Sequence, residues 1–119
     1  MSCRLQYLDL GDKLSALKSW KRAVSLKPTH AQSWINIIIL LDQEGRVEDA
    51  RDWALEAVRI LPTDDTVHFL LGNVLGKLSK FQEAENHFKE AIRLRLSSGR
   101  EVPAKYHANL GNYGNIISA

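Results

Sequence analysis

Apolar residues recur along the chain at the three- and four-residue spacings of amphipathic helices, interrupted by short polar turns. Pro28 can end a helix because proline lacks the helical N–H, and Gly45 suits the left-handed residue that follows many helices. Thr63 or Asp64 can cap the helix that begins after Pro62. The pattern predicts an all-α fold with helices at about Lys13–Leu26, His30–Glu44, Val47–Leu61, Asp65–Leu78 and Lys80–Leu96.

The helices repeat with a period of 34 residues, which is the distance between Pro28 and Pro62. When both prolines stand at repeat position 32, alanine fills positions 20 and 27 of three successive copies, and bulky residues recur at positions 4 and 24. Small residues let helices approach closely and large ones fill the space beside them, so we expect packing roles here. The residues are Ala16, Trp20, Ala23, Trp34, Ala50, Ala57, Gly72, Ala84, Phe88 and Ala91.

This arrangement resembles the tetratricopeptide repeat, a helix–turn–helix unit with small residues at positions 8, 20 and 27. The resemblance implies a right-handed α-solenoid of antiparallel helix pairs, about three and a half units long. Gly72 and Gly111 share position 8 but are 39 residues apart, so five residues are inserted between them. The expected units are a partial repeat at 1–30, repeats at 31–64 and 65–98, an insertion at about 97–103, and a partial repeat at 104–119.

Both ends of the chain fall inside expected helices, without the polar capping unit that a free-standing solenoid needs. We expect the last helix to expose an apolar face through Ile116 and Ile117. The sequence therefore predicts a single solenoid segment that belongs to a longer protein.

Charge and candidate chemistry argue against several functions. The 16 basic and 14 acidic side chains are too balanced to indicate nucleic acid or anionic lipid. The longest apolar run, Trp34 to Leu41, is much shorter than the ~20 residues of a membrane span, so we expect no membrane insertion of this segment. The single cysteine, Cys3, and the wide spacing of the four histidines predict no metal and no cofactor. His68 stands at the bulky packing position, and Asp64 and Asp65 are interpreted as helix-start residues.

Three longer stretches point to a particular family of repeats. They are residues 16–30, residues 34–42, and residues 61–64 together with 73–77. In order and spacing they resemble the C-terminal repeats of the transmembrane and tetratricopeptide-repeat-containing O-mannosyltransferases. Ile38 supports this resemblance because repeats in general favour glycine or alanine there.

The resemblance implies a parent protein in the endoplasmic reticulum membrane that transfers mannose from a dolichol-phosphate donor to Ser or Thr of cadherin-type domains. Its repeats would project into the lumen, so this segment would be a non-catalytic scaffold that recognises or positions acceptor proteins. The alternative is a stand-alone cytosolic adaptor that binds a peptide or helix in its concave groove.

The first helices of stacked units line that concave groove. An asparagine amide carries a donor and an acceptor together, which matches the backbone of an extended peptide. We therefore expect a protein or peptide partner at a groove formed by Asn36, Asn73, Asn109, Asn112, Ile35, Ile39, Phe69 and Lys77. The interrupted row of asparagines resembles the asparagine ladder of the O-GlcNAc transferase repeats.

Two alternatives for these residues stay open. The asparagines can be ordinary surface residues, and the apolar side chains can be buried against a neighbouring helix. A clamp for a chaperone's C-terminal carboxylate is not expected, because positions 5 and 9 hold no lysine: they are Ile35 and Ile39 in one copy, and Phe69 and Asn73 in the next.

Overall fold

A computed structural model describes residues 2–108, with side chains described from residue 13 onward. Its helices are α1 Ser2–Leu26, α2 Ala31–Gln43, α3 Val47–Ile60, α4 Asp65–Lys77 and α5 Phe81–Ser97. A further helical turn occupies residues 104–108, and residues 2–108 contain no β-strand. The all-α prediction is confirmed, and the bounds of α2 to α5 lie within one residue of those expected.

Successive helices pack as antiparallel pairs that stack along the chain. Each helix contacts the next in sequence, and α2 also contacts α4. Since α2 and α4 are the first helices of successive repeats, the contact between them places both along one face. This is the layered arrangement of an α-solenoid.

The turns after α2, α4 and α5 have the same backbone conformation. Gly45, Ser79 and Gly99 have φ values of 80°, 63° and 73°, in the left-handed region that favours glycine. In each turn the N–H of the next residue bonds back to a carbonyl five positions earlier, as Arg46 does to Leu41 at 2.9 Å. This closing pattern satisfies carbonyls that the helix end leaves open.

The first helix departs from the repeat period. The period predicts a turn at Gly11, the equivalent of Gly45 and Ser79, with a new helix from Lys13. Instead α1 runs without a break from Ser2 to Leu26. Glycine permits the left-handed conformation but does not require it, so Gly11 alone does not end a helix.

The five inserted residues divide between a helix and a connection. α5 has 17 residues where its counterpart α3 has 14. The connection at residues 98–103 has six residues, against four at residues 61–64. The insertion therefore both lengthens the helix and extends the loop.

The core is made largely by the small and large residues of the repeat pattern. Ala50, Ala57, Ala84, Ala91 and Phe88 are completely buried, and Trp34 is nearly so. Ala16, Trp20 and Ala23 are only half-buried. They lie on α1, which packs mainly on α2 and reaches α3 through Lys21, whose Nζ lies 5.5 Å from the ring centroid of Trp53.

Candidate interaction groove

The face formed by α2 combines apolar and amide side chains. Ile39 is 36% exposed, and Ile35 is half-buried one turn earlier. Asn36 is half-buried between them, and its Oδ1 accepts a hydrogen bond from Nε2 of Gln32 at 2.9 Å. The amide oxygen of Asn36 is the acceptor in that bond. Its amide nitrogen, the donor end of the side chain, points away from Gln32.

An ion pair joins α2 to α4 at the end of this face. Nζ of Lys77 donates to both carboxylate oxygens of Asp42, at 2.7 and 2.8 Å. Both side chains remain partly exposed, so the pair adds little to stability. Its consequence is electrostatic, because Asp42 balances the charge that Lys77 brings to the groove.

Phe69 is placed differently from the other predicted groove residues. Its ring is 6% exposed and lies between Phe88, with ring centroids 5.6 Å apart, and Tyr106, with centroids 4.3 Å apart. The side chain therefore contributes packing rather than an open groove surface. Phe69 thus joins two other aromatic side chains, Phe88 on α5 and Tyr106 in the turn at residues 104–108.

The remaining predicted groove residues are asparagines. Asn73 is half-buried on α4. Asn109 and Asn112, like Ile116 and Ile117, lie outside the described residues. The structure thus brings Ile35, Asn36 and Ile39 together on one helix face.

Position 4 of each complete repeat is occupied by a ring that reaches back to the preceding turn. Nε1 of Trp34 donates to the carbonyl of Pro28 at 2.7 Å. Nε2 of His68 lies 2.8 Å from the carbonyl of Pro62, which can only accept, so this nitrogen carries the proton. His68 is 6% exposed, consistent with a packing role.

Asp65 has a role that the sequence interpretation missed. Asp64 is the helix cap, since its Oδ1 accepts from the N–H of Val67 at 3.1 Å. Asp65 is 3% exposed, and its Oδ2 accepts from Nε of Arg95 at 2.6 Å and from the hydroxyl of Tyr106 at 2.9 Å. Its Oδ1 accepts from Arg100 at 2.6 Å. The interpretation of Asp65 as a helix-start residue is therefore incomplete, because it also ties α4 to α5 and to the insertion.

This network shifts the pKa of both of its buried members. Burial raises the pKa of Asp65, but hydrogen bonds from Arg95 and Tyr106 and the charges of Arg95 and Arg100 outweigh it, so the net pKa lies below its usual value. Burial and the bond to Asp65 raise the pKa of Tyr106. The only signal in the sequence was a second acidic residue where the preceding repeat has Ala31.

The described residues show no arrangement for metal or membrane chemistry. No group of three or more potential metal-binding side chains converges within that part of the chain. None of the helices that the structure describes is long and apolar enough to cross a membrane.

Comparison with known families agrees with this architecture. Residues 5–65 and residues 66–97 each match a family model described as a tetratricopeptide repeat. The first match alone covers more than half of the 119 residues. The chain belongs to the tetratricopeptide-repeat family.

Two similar curated proteins are O-mannosyltransferases. The protein O-mannosyl-transferase F38B6.6 of Caenorhabditis elegans is 36% identical over 73 residues, which is 61% of this chain and 10% of that protein. The protein O-mannosyl-transferase TMTC3 of Homo sapiens is 31% identical over 93 residues, which is 75% of this chain and 10% of that protein. The matched region thus spans about a tenth of each relative, and the predicted resemblance to this family is confirmed.

Solved structures with the same fold are more distant in sequence. The first tetratricopeptide-repeat domain of Spaghetti (RPAP3), solved bound to the HSP90 peptide SRMEEVD, matches with a TM-score of 0.79 at 13% identity and covers 96% of this chain and 86% of that one. The Sgt2 repeat domain of Aspergillus fumigatus matches with a TM-score of 0.78 at 16% identity, covering 98% of this chain and 76% of that one. MamA of Desulfovibrio magneticus RS-1 matches with a TM-score of 0.71 at 20% identity, covering 93% and 60%. At these identities the likeness concerns the fold.

Proposed function

We propose that this chain is a non-catalytic protein-binding segment of a longer O-mannosyltransferase-like protein. In that protein it recognises or positions acceptor proteins, such as cadherins, on the lumenal side of the endoplasmic reticulum membrane. The similarity to two O-mannosyltransferases supports the parent protein. The observation that carries the binding role is the apolar and amide-bearing face of α2, where Ile39 is 36% exposed.

The chemistry of this face favours a polypeptide with apolar side chains. Ile35 and Ile39 offer apolar contacts one turn apart, and the Asn36 amide between them can donate to a backbone carbonyl. Asp42 neutralises Lys77, so the end of the groove does not select for an anion. The RPAP3 domain was solved with a peptide that contains three acidic residues, whereas the groove proposed here would select an apolar segment.

The groove is tested by placing a charge on it. Ile39→Asp should weaken binding to a purified cadherin-type domain by roughly tenfold or more, since truncating a central contact costs over 1 kcal/mol at binding hot spots. The matched control is Leu55→Asp, because Leu55 is 49% exposed on α3, the second helix of the same repeat. It should leave the affinity within about twofold. Calorimetric titration of the folded variants measures both.

Equal losses for Ile39→Asp and Leu55→Asp would contradict the groove. Asn36→Ala combined with Asn73→Ala tests the amides separately, and an unchanged affinity would show that they are ordinary surface residues. If the unaltered chain binds no acceptor domain but binds cytosolic peptides, the adaptor alternative replaces the proposal.

The parent protein is tested at the level of the transcript. A reading frame that continues upstream into several apolar segments of ~20 residues supports it. An in-frame stop codon immediately upstream of the Met1 codon would contradict it.

A further inference from the structure

A pair of histidines joins α4 to α5 in the third repeat. Nδ1 of His68 and Nδ1 of His87 are 3.1 Å apart, and the two rings stack with centroids 5.4 Å apart and an angle of 25° between their planes. His68 is almost completely buried and His87 is half-buried. The pair is thus part of the packing between the two helices.

The surroundings determine where the protons sit. Nε2 of His68 carries a proton because it faces the carbonyl oxygen of Pro62 at 2.8 Å. In a neutral imidazole the other nitrogen is then an acceptor, so Nδ1 of His68 accepts from Nδ1–H of His87. A single added proton still leaves one N–H between the two Nδ1 atoms. A second added proton places two N–H groups and two positive charges face to face, which removes the hydrogen bond.

The charged groups around the pair act in opposite directions. Glu83 and Glu90 lie on α5 and favour the protonated form of His87, but Glu90 is also bonded to Arg93. At the N-cap of α4, one turn before His68, the carboxylate of Asp64 is bonded to the N–H of Val67. Burial, followed by the charge of His68, lowers the pKa of His87, and these effects outweigh the two glutamates.

We propose that the His68–His87 pair makes the packing of α4 on α5 sensitive to acid, whereas the second repeat, with Trp34 and Trp53 at the same positions, is insensitive. An unperturbed histidine has a pKa of 6.5, and the pKa of His87 in the folded chain lies below it. Between these two values the unfolded chain binds more protons than the folded chain. The contribution of neutral His87 is therefore complete above pH 6.5 and is lost as the pH falls through its folded pKa.

Weaker packing of α4 in acid would also disturb the proposed interaction groove, because α4 carries Asn73 and Lys77. Weaker binding of an acceptor at low pH is therefore expected, and this consequence alone rests on the proposed function. The stability of the third repeat can be measured without any partner. A failure of the acid-sensitivity proposal can therefore be distinguished from a failure of the proposed function.

The test is urea unfolding of the chain at pH 7.5 and pH 5.0. His87→Gln keeps an amide donor for Nδ1 of His68 but cannot gain a charge, so its midpoint should fall less on acidification than that of the unaltered chain. His107→Gln is the matched control, because His107 is exposed on the turn at residues 104–108. It should behave as the unaltered chain does. Equal falls for the unaltered chain and His87→Gln would overturn the proposal.

A second measurement needs no variant. Titration of the imidazole resonances by NMR should show His87 still mostly neutral at pH 6.5, the pKa of an unperturbed histidine. If His87 is half-protonated at or above pH 6.5, it does not resist protonation and the proposal is wrong.

Discussion

In the second repeat the rings of Trp34 and Trp53 lie 5.4 Å apart, and in the third repeat His68 and His87 hold the same positions at the same separation. Both rings at position 4 also donate to the carbonyl of a proline six residues earlier. Both repeats thus have a flat ring with an N–H at position 4. Which ring is present decides whether the contact can titrate.

A second pair of positions shows that the two repeats fill the space between their helices in different ways. Positions 8 and 24 hold Ile38 and Ala54 in the second repeat, and Gly72 and Phe88 in the third. All four residues are buried. A Cβ added at Gly72 would lie 2.8 Å from Cε1 of Phe88. The same space is thus filled from the first helix in one repeat and from the second helix in the other.

Substitutions at positions 8 and 24 of the third repeat should give the largest change in unfolding free energy. Phe88→Ala should cost about 3–5 kcal/mol of unfolding free energy by opening a cavity. Gly72→Ile should overpack the site by at least ~3 kcal/mol, since its side chain meets the Phe88 ring. The double variant copies Ile38 and Ala54, so it should be more stable than either single variant. Urea unfolding of the unaltered chain, the two single variants and the double variant measures the coupling between the two positions. Strictly additive losses would show that the two side chains do not compete for the same space.

Removing the carboxylate that the third repeat has and the second lacks should have a smaller effect. Asp65→Asn weakens the bonds from Arg95, Arg100 and Tyr106, for a loss of about 2–3 kcal/mol in unfolding free energy. Asp49→Asn is the control, because Asp49 forms an exposed ion pair with Arg46 and should change little. A similar loss of unfolding free energy in both variants would show that the buried network stabilises the fold no more than an exposed ion pair does.

The same carboxylate predicts a dependence on strong acid. Its pKa in the folded chain lies below the usual 3.8, so its contribution is present above pH 3.8 and is lost as the pH falls through the folded pKa. Asp65→Asn should remove that part of the acid response.

The helix caps should give the smallest difference between the repeats. Asp64 bonds the N–H of Val67, whereas His30, at the equivalent position of α2, makes no such side-chain bond to the helix start. Asp64→Ala should therefore cost about 1 kcal/mol, and His30→Ala a few tenths at most. Thermal unfolding of the two variants measures the difference, and equal shifts in Tm would contradict the role of Asp64 as the cap.

Helix bounds were predictable because their signals are local. Prolines, left-handed caps and the spacing of apolar residues act within one or two turns, and α2 to α5 begin and end within a residue of the expected positions. That Ile35, Asn36 and Ile39 share a helix face was predictable from their spacing, and their role in binding stays a prediction. Phe69 follows the buried alternative that the sequence left open, and its contact with Tyr106, 37 residues further along the chain, has no local signal.

The sequence by itself determined the repeat, the helix pairs, the insertion and the family, because each is written in a spacing that recurs along the chain. Tertiary structure alone decided that α1 continues through Gly11, that Asp65 holds Arg95, Arg100 and Tyr106, and that His68 meets His87. The contacts of Asp65 and of His68 join residues at least 19 positions apart. A period of 34 residues predicts which positions face a neighbour, but the bonds formed there depend on the side chains that meet.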